Sequence, residues 1–122
     1  MILADTSIWI EQLRRANGPL TSVLEAGEVV MHPFVIGELA CGNLRNRTLL
    51  LDLWSNLPFV PTATDGEALR FIDRHSLAGS GLGYVDVHLL ASTALARDAW
   101  LWTIDKPLAA AATRLSLAHD SR

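Results

Sequence analysis

Met1-Ile2-Leu3-Ala4-Asp5-Thr6-Ser7-Ile8-Trp9, the opening of the chain, decides the fold. Ile2-Leu3-Ala4 is a short continuous apolar run without the alternation of a half-exposed strand, so it reads as a strand buried on both faces, the kind found in parallel sheets. Asp5 ends the run. Thr6 or Ser7 can then cap a helix that carries Ile8, Trp9 and Leu13 and ends near Asn17-Gly18. The pattern returns near the other end of the chain, where Leu101-Trp102-Thr103-Ile104 runs into Asp105 and Lys106-Pro107 opens an alanine-rich helix. Strands of a parallel sheet all point one way. Asp5 and Asp105 should therefore emerge at the same rim, formed by the strands' carboxyl ends.

Between these two units, strand and helix patterns alternate without linker, repeat or low-complexity stretch, which predicts an α/β fold around a parallel sheet. Pro19 should start a short helix through Glu25, closed by Gly27, and Val29-Val30-Met31 reads as the second strand. A helix follows from Phe34 to Cys41, then a longer one from Leu44 to Asn56 with Leu49, Leu50, Leu53 and Trp54 on its apolar side. Leu57-Pro58-Phe59-Val60 fits an edge strand because of its proline. Thr64 should cap a helix through Leu69 and Ile72 towards Leu77. The glycine-rich turn Gly79-Ser80-Gly81-Leu82-Gly83 leads into a helix opened by Asp86, and Leu115-Ser116-Leu117 adds a last short strand. The three glycines lack the preceding strand that a phosphate-binding loop requires.

Two further acids fall near helix starts, Glu38 about a turn after Pro33 and Asp86 after the glycine-rich turn. Helix starts in open α/β sheets face the rim where ligands bind. Four carboxylates gathered there, Asp5, Glu38, Asp86 and Asp105, repel one another unless a cation holds them. Oxygen-only ligands favour a hard ion, so Mg²⁺ is expected, with Mn²⁺ as an alternative, rather than zinc. Each acid also has a simpler role to weigh. Asp5 and Asp105 suit helix caps, and Asp86 suits the positive end of a helix dipole. Glu38 sits in the apolar stretch Phe34 to Cys41, where an unpaired carboxylate is costly.

At 122 residues, with half of them hydrophobic and 19% charged, the chain is expected to form one domain, 1–122, with a substantial core. The single Cys41 forms no internal disulfide and reads as a small buried hydrophobe. Asp5 interrupts the N-terminal apolar stretch before a secretory leader forms, so a cytoplasmic location without membrane attachment is expected. The net charge of −3 argues against holding nucleic acid by bulk electrostatics. Bound cations would offset part of that charge locally, and Arg14-Arg15, Arg45, Arg47 and Lys106, each near an acidic junction, are candidate phosphate contacts. Of the histidines, His32, His75 and His119 read as surface or internally satisfied residues. Trp9, Trp54, Trp100 and Trp102 read as core or dimer packing.

Asp5-Thr6-Ser7-Ile8-Trp9, Gly37-Glu38-Leu39, Tyr84-Val85-Asp86-Val87-His88-Leu89-Leu90-Ala91 and Thr103-Ile104-Asp105 resemble, in order and spacing, the four motifs of the PIN domain. The resemblance is closest to its VapC toxin-type ribonucleases and covers almost the whole chain. It implies a three-layer α/β/α sandwich with a parallel sheet of four or five strands. It also implies a magnesium-dependent endoribonuclease, the toxin half of a type II toxin–antitoxin pair. Asp5, Glu38, Asp86 and Asp105 would be the metal-binding quartet, Thr103 the hydroxyl residue before the fourth acid, and Thr6 or Ser7 a support for the first. The partners implied are a VapB-type antitoxin, a second copy of the chain in a homodimer, and structured RNA such as transfer or ribosomal RNA. One departure is His88, two positions beyond Asp86 where small residues are usual; a bystander role and an added contact to substrate or metal both remain open.

The expected chemistry needs no side-chain nucleophile, in keeping with the absence of a Ser-His-Asp or Cys-His arrangement. Asp5 and Asp86 would bind the metal directly, Asp105 would complete its shell, and Glu38 would orient the attacking water or hold a second ion. Hydrolysis would leave a 5′-phosphate and a 3′-hydroxyl. A catalytically inert interaction module on the same fold is the alternative. A phosphatase with Asp5 as covalent nucleophile fits poorly, because Ser7 stands where a second Asp is wanted.

Overall fold

Strand β1 (Ile2–Ala4) is buried at all three of its residues, although successive side chains of a strand point to opposite faces. Both faces of the sheet are therefore covered, which makes the molecule a helix–sheet–helix sandwich. The computed structural model describes residues 1–120. β1 is the central strand, flanked in parallel by β2 (Val29–Val30) and β3 (Trp100–Trp102) in the order β2-β1-β3. Leu3 lies opposite Val30 on one side and Leu101 on the other. Single parallel bridges, Met31 to Phe59 and Leu101 to Ala118, extend the sheet by one position at each edge.

The expected sheet of four or five strands is thus a three-stranded sheet with two rudimentary edges. Pro58 has no N–H to give a ladder, and only Phe59 of the expected strand 57–60 pairs. The expected last strand at Leu115 to Leu117 is instead a turn through Ser116 at positive φ, and pairing waits until Ala118.

Seven helices complete the described residues: α1 (Thr6–Arg14), α2 (Thr21–Glu25), α3 (Pro33–Ala40), α4 (Arg47–Ser55), α5 (Asp65–Arg74), α6 (Tyr84–Ala96) and α7 (Lys106–Arg114). Asp5, rather than Thr6 or Ser7, caps α1, its carboxylate accepting from the Ile8 amide. Pro33 occupies the first turn of α3, and Thr64 and Glu67 form a reciprocal capping box at α5. α6 is the most deeply buried helix, with every residue from Val87 to Thr93 inside, as expected of a helix that is apolar all round. Trp9 of α1 and Trp54 of α4 meet edge to face at 5.8 Å and anchor the core on that side, whereas Trp100 is exposed. No helix among the described residues is long and apolar enough to cross a membrane.

Two packing expectations fail. Leu49 and Leu53 of α4 are more than half exposed, because only the Trp54 edge of that helix reaches the core. Cys41, expected inside, is exposed, since α3 ends at Ala40 and Cys41 lies past its last turn.

A polar stitch crosses the interior between α3 and α6. His32 Nδ1 accepts from the Phe34 amide at 3.0 Å, which makes Nε2 the protonated nitrogen; it lies 3.1 Å from Ser92 Oγ, which also accepts from the Ala63 amide. Burial, aided by the charge of His88, lowers the His32 pKa to about 4 and keeps the ring neutral.

Candidate active site

Asp5 leaves the end of β1 and is almost completely buried. The hydroxyls of Ser7 and Thr103 donate to its two carboxylate oxygens, Ser7 to Oδ1 at 2.5 Å and Thr103 to Oδ2. Burial pushes the Asp5 pKa up, and these hydrogen bonds act against that rise. Thr103 leaves the end of β3, so its bond to Asp5 ties the two strand ends together. Ser7 Oγ reinforces the tie by accepting from the Ile104 amide at 3.2 Å. Thr103 Oγ1 accepts from the Asp105 amide at 3.0 Å and so fixes the start of α7.

The two hydroxyls after Asp5 divide their work. Ser7 holds Asp5, whereas Thr6 donates to Glu38 Oε1 at 2.7 Å and so joins the first turn of α1 to α3. Glu38 is exposed, so the solvation penalty expected of its apolar sequence neighbours does not arise. Asp86, in the first turn of α6, is half-buried and accepts from the Gly83 amide at 3.0 Å. Its pKa is raised first by burial and then by the negative charges of Asp105, Asp5 and Glu38. Asp5 and Asp105 follow the adjacent parallel strands β1 and β3, and Thr6, next to Asp5, holds Glu38.

Two of these acids cap helices. Asp5 caps α1, and Asp105 Oδ2 accepts from the Leu108 amide at 3.1 Å and caps α7. Among the described residues, Asp86 Oδ1, Asp105 Oδ1 and Glu38 Oε2 accept no hydrogen bond, so each of those acids keeps an oxygen for another task. No three His, Cys, Asp or Glu side chains among the described residues already stand in the geometry that encloses a metal ion. The site is an open rim of carboxylates and not a closed cage.

A cleft of about 230 Å³ opens beside Glu38, with Thr6 and Arg14 also in its wall. Arg14 pairs with Glu11 at 2.9 Å on its own helix, and Arg47 donates to the Gly42 carbonyl at 3.4 Å. Arg15, Arg45 and Lys106 are exposed.

His88 is 1% exposed and its Nε2 lies 3.1 Å from Asp65 Oδ1, so its ring is engaged within the fold. Asp65 was not legible as part of this neighbourhood. In sequence it is one more acid in the first turn of a capped helix, and only the packing of α5 on α6 brings it to His88 and Tyr84.

Residues 2–114 match the family model described as the PIN domain. The chain is also 48% identical over 118 residues to "Ribonuclease VapC32" of Mycobacterium tuberculosis strain CDC 1551 / Oshkosh, covering 97% of this chain and 95% of that protein. "Ribonuclease VapC32" of strain ATCC 25618 / H37Rv matches with the same identity and coverage. A match over nearly the whole length, on a helix–sheet–helix fold around a parallel sheet, places the chain in the PIN-domain family, among its VapC-type members.

Proposed function

We propose that the protein is a metal-dependent endoribonuclease, acting in the cytoplasm as the toxin of a toxin–antitoxin pair. The observation that carries this reading is the linkage of the acid-bearing segments, Thr103 past the end of β3 donating to Asp5 and Thr6 donating to Glu38, with the Asp86 carboxyl raised first by burial and then by the negative charges of Asp105, Asp5 and Glu38. Uncompensated repulsion of this kind favours a bound cation, and the all-oxygen donor set fits a hard one, Mg²⁺ or Mn²⁺. Asp5, Glu38, Asp86 and Asp105 would hold it. When bound, such an ion acidifies a coordinated water and offsets charge on the phosphoryl oxygens.

The chain's own residues do the positioning. Ser7 and Thr103 hold the Asp5 carboxylate in one orientation, and Gly83 does the same for Asp86 through its amide. Thr103 also orders the backbone that carries Asp105. Glu38, exposed and with one oxygen unengaged, is suited to orient the attacking water. Arg14, in the wall of the same cleft, is suited to receive a phosphate of the RNA. The products would carry a 5′-phosphate and a 3′-hydroxyl. The substrate class proposed is structured RNA, transfer or ribosomal. The partners proposed are a VapB-type antitoxin and a second copy of the chain in a homodimer.

Purified protein should cut RNA in Mg²⁺ or Mn²⁺ and stop on addition of EDTA. Asp5→Ala or Asp86→Ala should lower the rate on the order of a thousandfold, since a lost metal ligand removes several kcal/mol of charge stabilisation. Cutting that persists in EDTA would overturn the reading.

A further inference from the structure

Tyr84, the chain's single tyrosine, opens α6 two residues before Asp86 and is 45% exposed. Its setting is unusually constrained for an exposed ring. The hydroxyl donates to Asp65 Oδ1 at 2.7 Å. The ring stands perpendicular to that of His88, with centroids 4.6 Å apart and planes at 89°. His88 is itself fixed, by Asp65 on one side and by Phe34 of α3, whose centroid lies 4.8 Å from its own. Asp65 Oδ1 thus receives both Tyr84 and His88 and locks their relative orientation.

This geometry limits what Tyr84 can offer a ligand. Its hydroxyl proton is committed to Asp65, so it does not donate to a phosphate. The exposed carboxylate of Asp65 beside it also repels phosphate. What remains is the solvent-facing part of a rigid aromatic ring beside the acidic rim. Unpaired bases of RNA stack on such rings, and a ring already fixed in place loses little further entropy on binding. Resting on the nuclease reading above, we propose that Tyr84 is the platform on which an unpaired base adjoining the scissile phosphate stacks, with Asp65 and His88 as its positioning residues.

A single tyrosine gives the test a clean readout. Protein labelled with ¹³C-tyrosine, kept in EDTA so that nothing is cut, is titrated with single-stranded tetra-adenylate and followed by NMR. The Tyr84 ring protons should move upfield and saturate, as expected for a base lying over the ring. Tyr84→Leu should weaken binding about tenfold, measured by anisotropy of the labelled tetramer, whereas Tyr84→Phe should stay close to the parent. In cleavage assays with Mg²⁺, Tyr84→Leu should raise KM more than it lowers kcat. Asp65→Asn should do the same to a smaller extent, with an unchanged melting temperature.

An unshifted Tyr84 resonance at saturating tetra-adenylate, or equal affinities for the Leu variant and the parent, would overturn the proposal even if the protein cuts RNA. A parent that binds through Tyr84 but never cuts would leave the platform standing and remove the nuclease reading instead. If Leu and Phe variants both lose affinity in proportion to lost thermal stability, Tyr84 is a staple between α5 and α6 and not a platform.

Discussion

Asp5 and Asp86 have carboxyl groups that the fold makes reluctant to ionise, and the causes differ. For Asp5 burial dominates, and hydroxyl donors from two strand ends act against it. For Asp86 burial is joined by three neighbouring negative charges. A raised carboxyl pKa means that the folded state binds its proton more tightly than the unfolded chain does. The associated stability is therefore present at low pH and lost as pH rises through the folded-state pKa. Asp86→Asn, which keeps an acceptor for the Gly83 amide but removes the charge, should melt above the parent at neutral pH without divalent ions. Calorimetric scans at neutral and acidic pH test this: the gap should close as the parent's carboxylate protonates, and a variant that melts lower at neutral pH would contradict it. His32 works in the opposite sense. Its pKa is lowered to about 4 from 6.5, so below pH 6.5 the unfolded chain takes up a proton that the fold refuses. Stability should fall as pH drops from about 6.5 to about 4, by on the order of 2 to 3 kcal/mol, and then level off. Because Asp5 and Asp86 contribute with the other sign, the check is the difference in urea stability between parent and His32→Gln at pH 7 and pH 5, which should narrow at the lower pH.

Among the elements, α5 depends most visibly on local chemistry. Its capping box satisfies two backbone amides reciprocally, Thr64 Oγ1 accepting from Glu67 and Glu67 Oε1 accepting from Thr64. Thr64→Ala should cost about 1 kcal/mol in urea unfolding and leave RNA cleavage near the parent level, since the cap touches none of the four acids. That cap was readable in sequence because its signal is local. The same holds for Pro33 at the start of α3 and for the apolar runs of β1 and β3. The apolar side of α4 was misread, because four leucine and tryptophan positions do not say which edge of the helix meets a neighbour. Only Trp54 does so fully, against Trp9. The sheet edges were over-read for a related reason. Residues 57–60 and 115–117 carry the right apolar content, but a proline without an N–H leaves the first a single bridge at Phe59, and a turn at positive φ defers the second's bridge to Ala118.

At the scale of the molecule, the placing of Asp5 and Asp105 after adjacent parallel strands was legible because chain order alone fixes it: in a parallel sheet, the strands' carboxyl ends gather at one rim. What surrounds the quartet was not, because it depends on which helices pack side by side. Thr6 on Glu38 and Asp65 on both Tyr84 and His88 are contacts of tertiary structure, and which of Thr6 and Ser7 supports Asp5 leaves no trace in sequence. The quartet draws on β1, α3, α6 and the start of α7, so a cation bound there would link four elements at once and stabilise the whole fold by mass action. The central claim is that these carboxylates together bind a divalent ion, and Mn²⁺ titration followed by electron paramagnetic resonance tests it most directly. Saturable Mn²⁺ binding by the parent, displaced by Mg²⁺ and lost in Asp5→Asn and Asp86→Asn variants that remain folded, is the predicted result; a folded parent that leaves Mn²⁺ free, or variants that bind it as the parent does, would contradict the account.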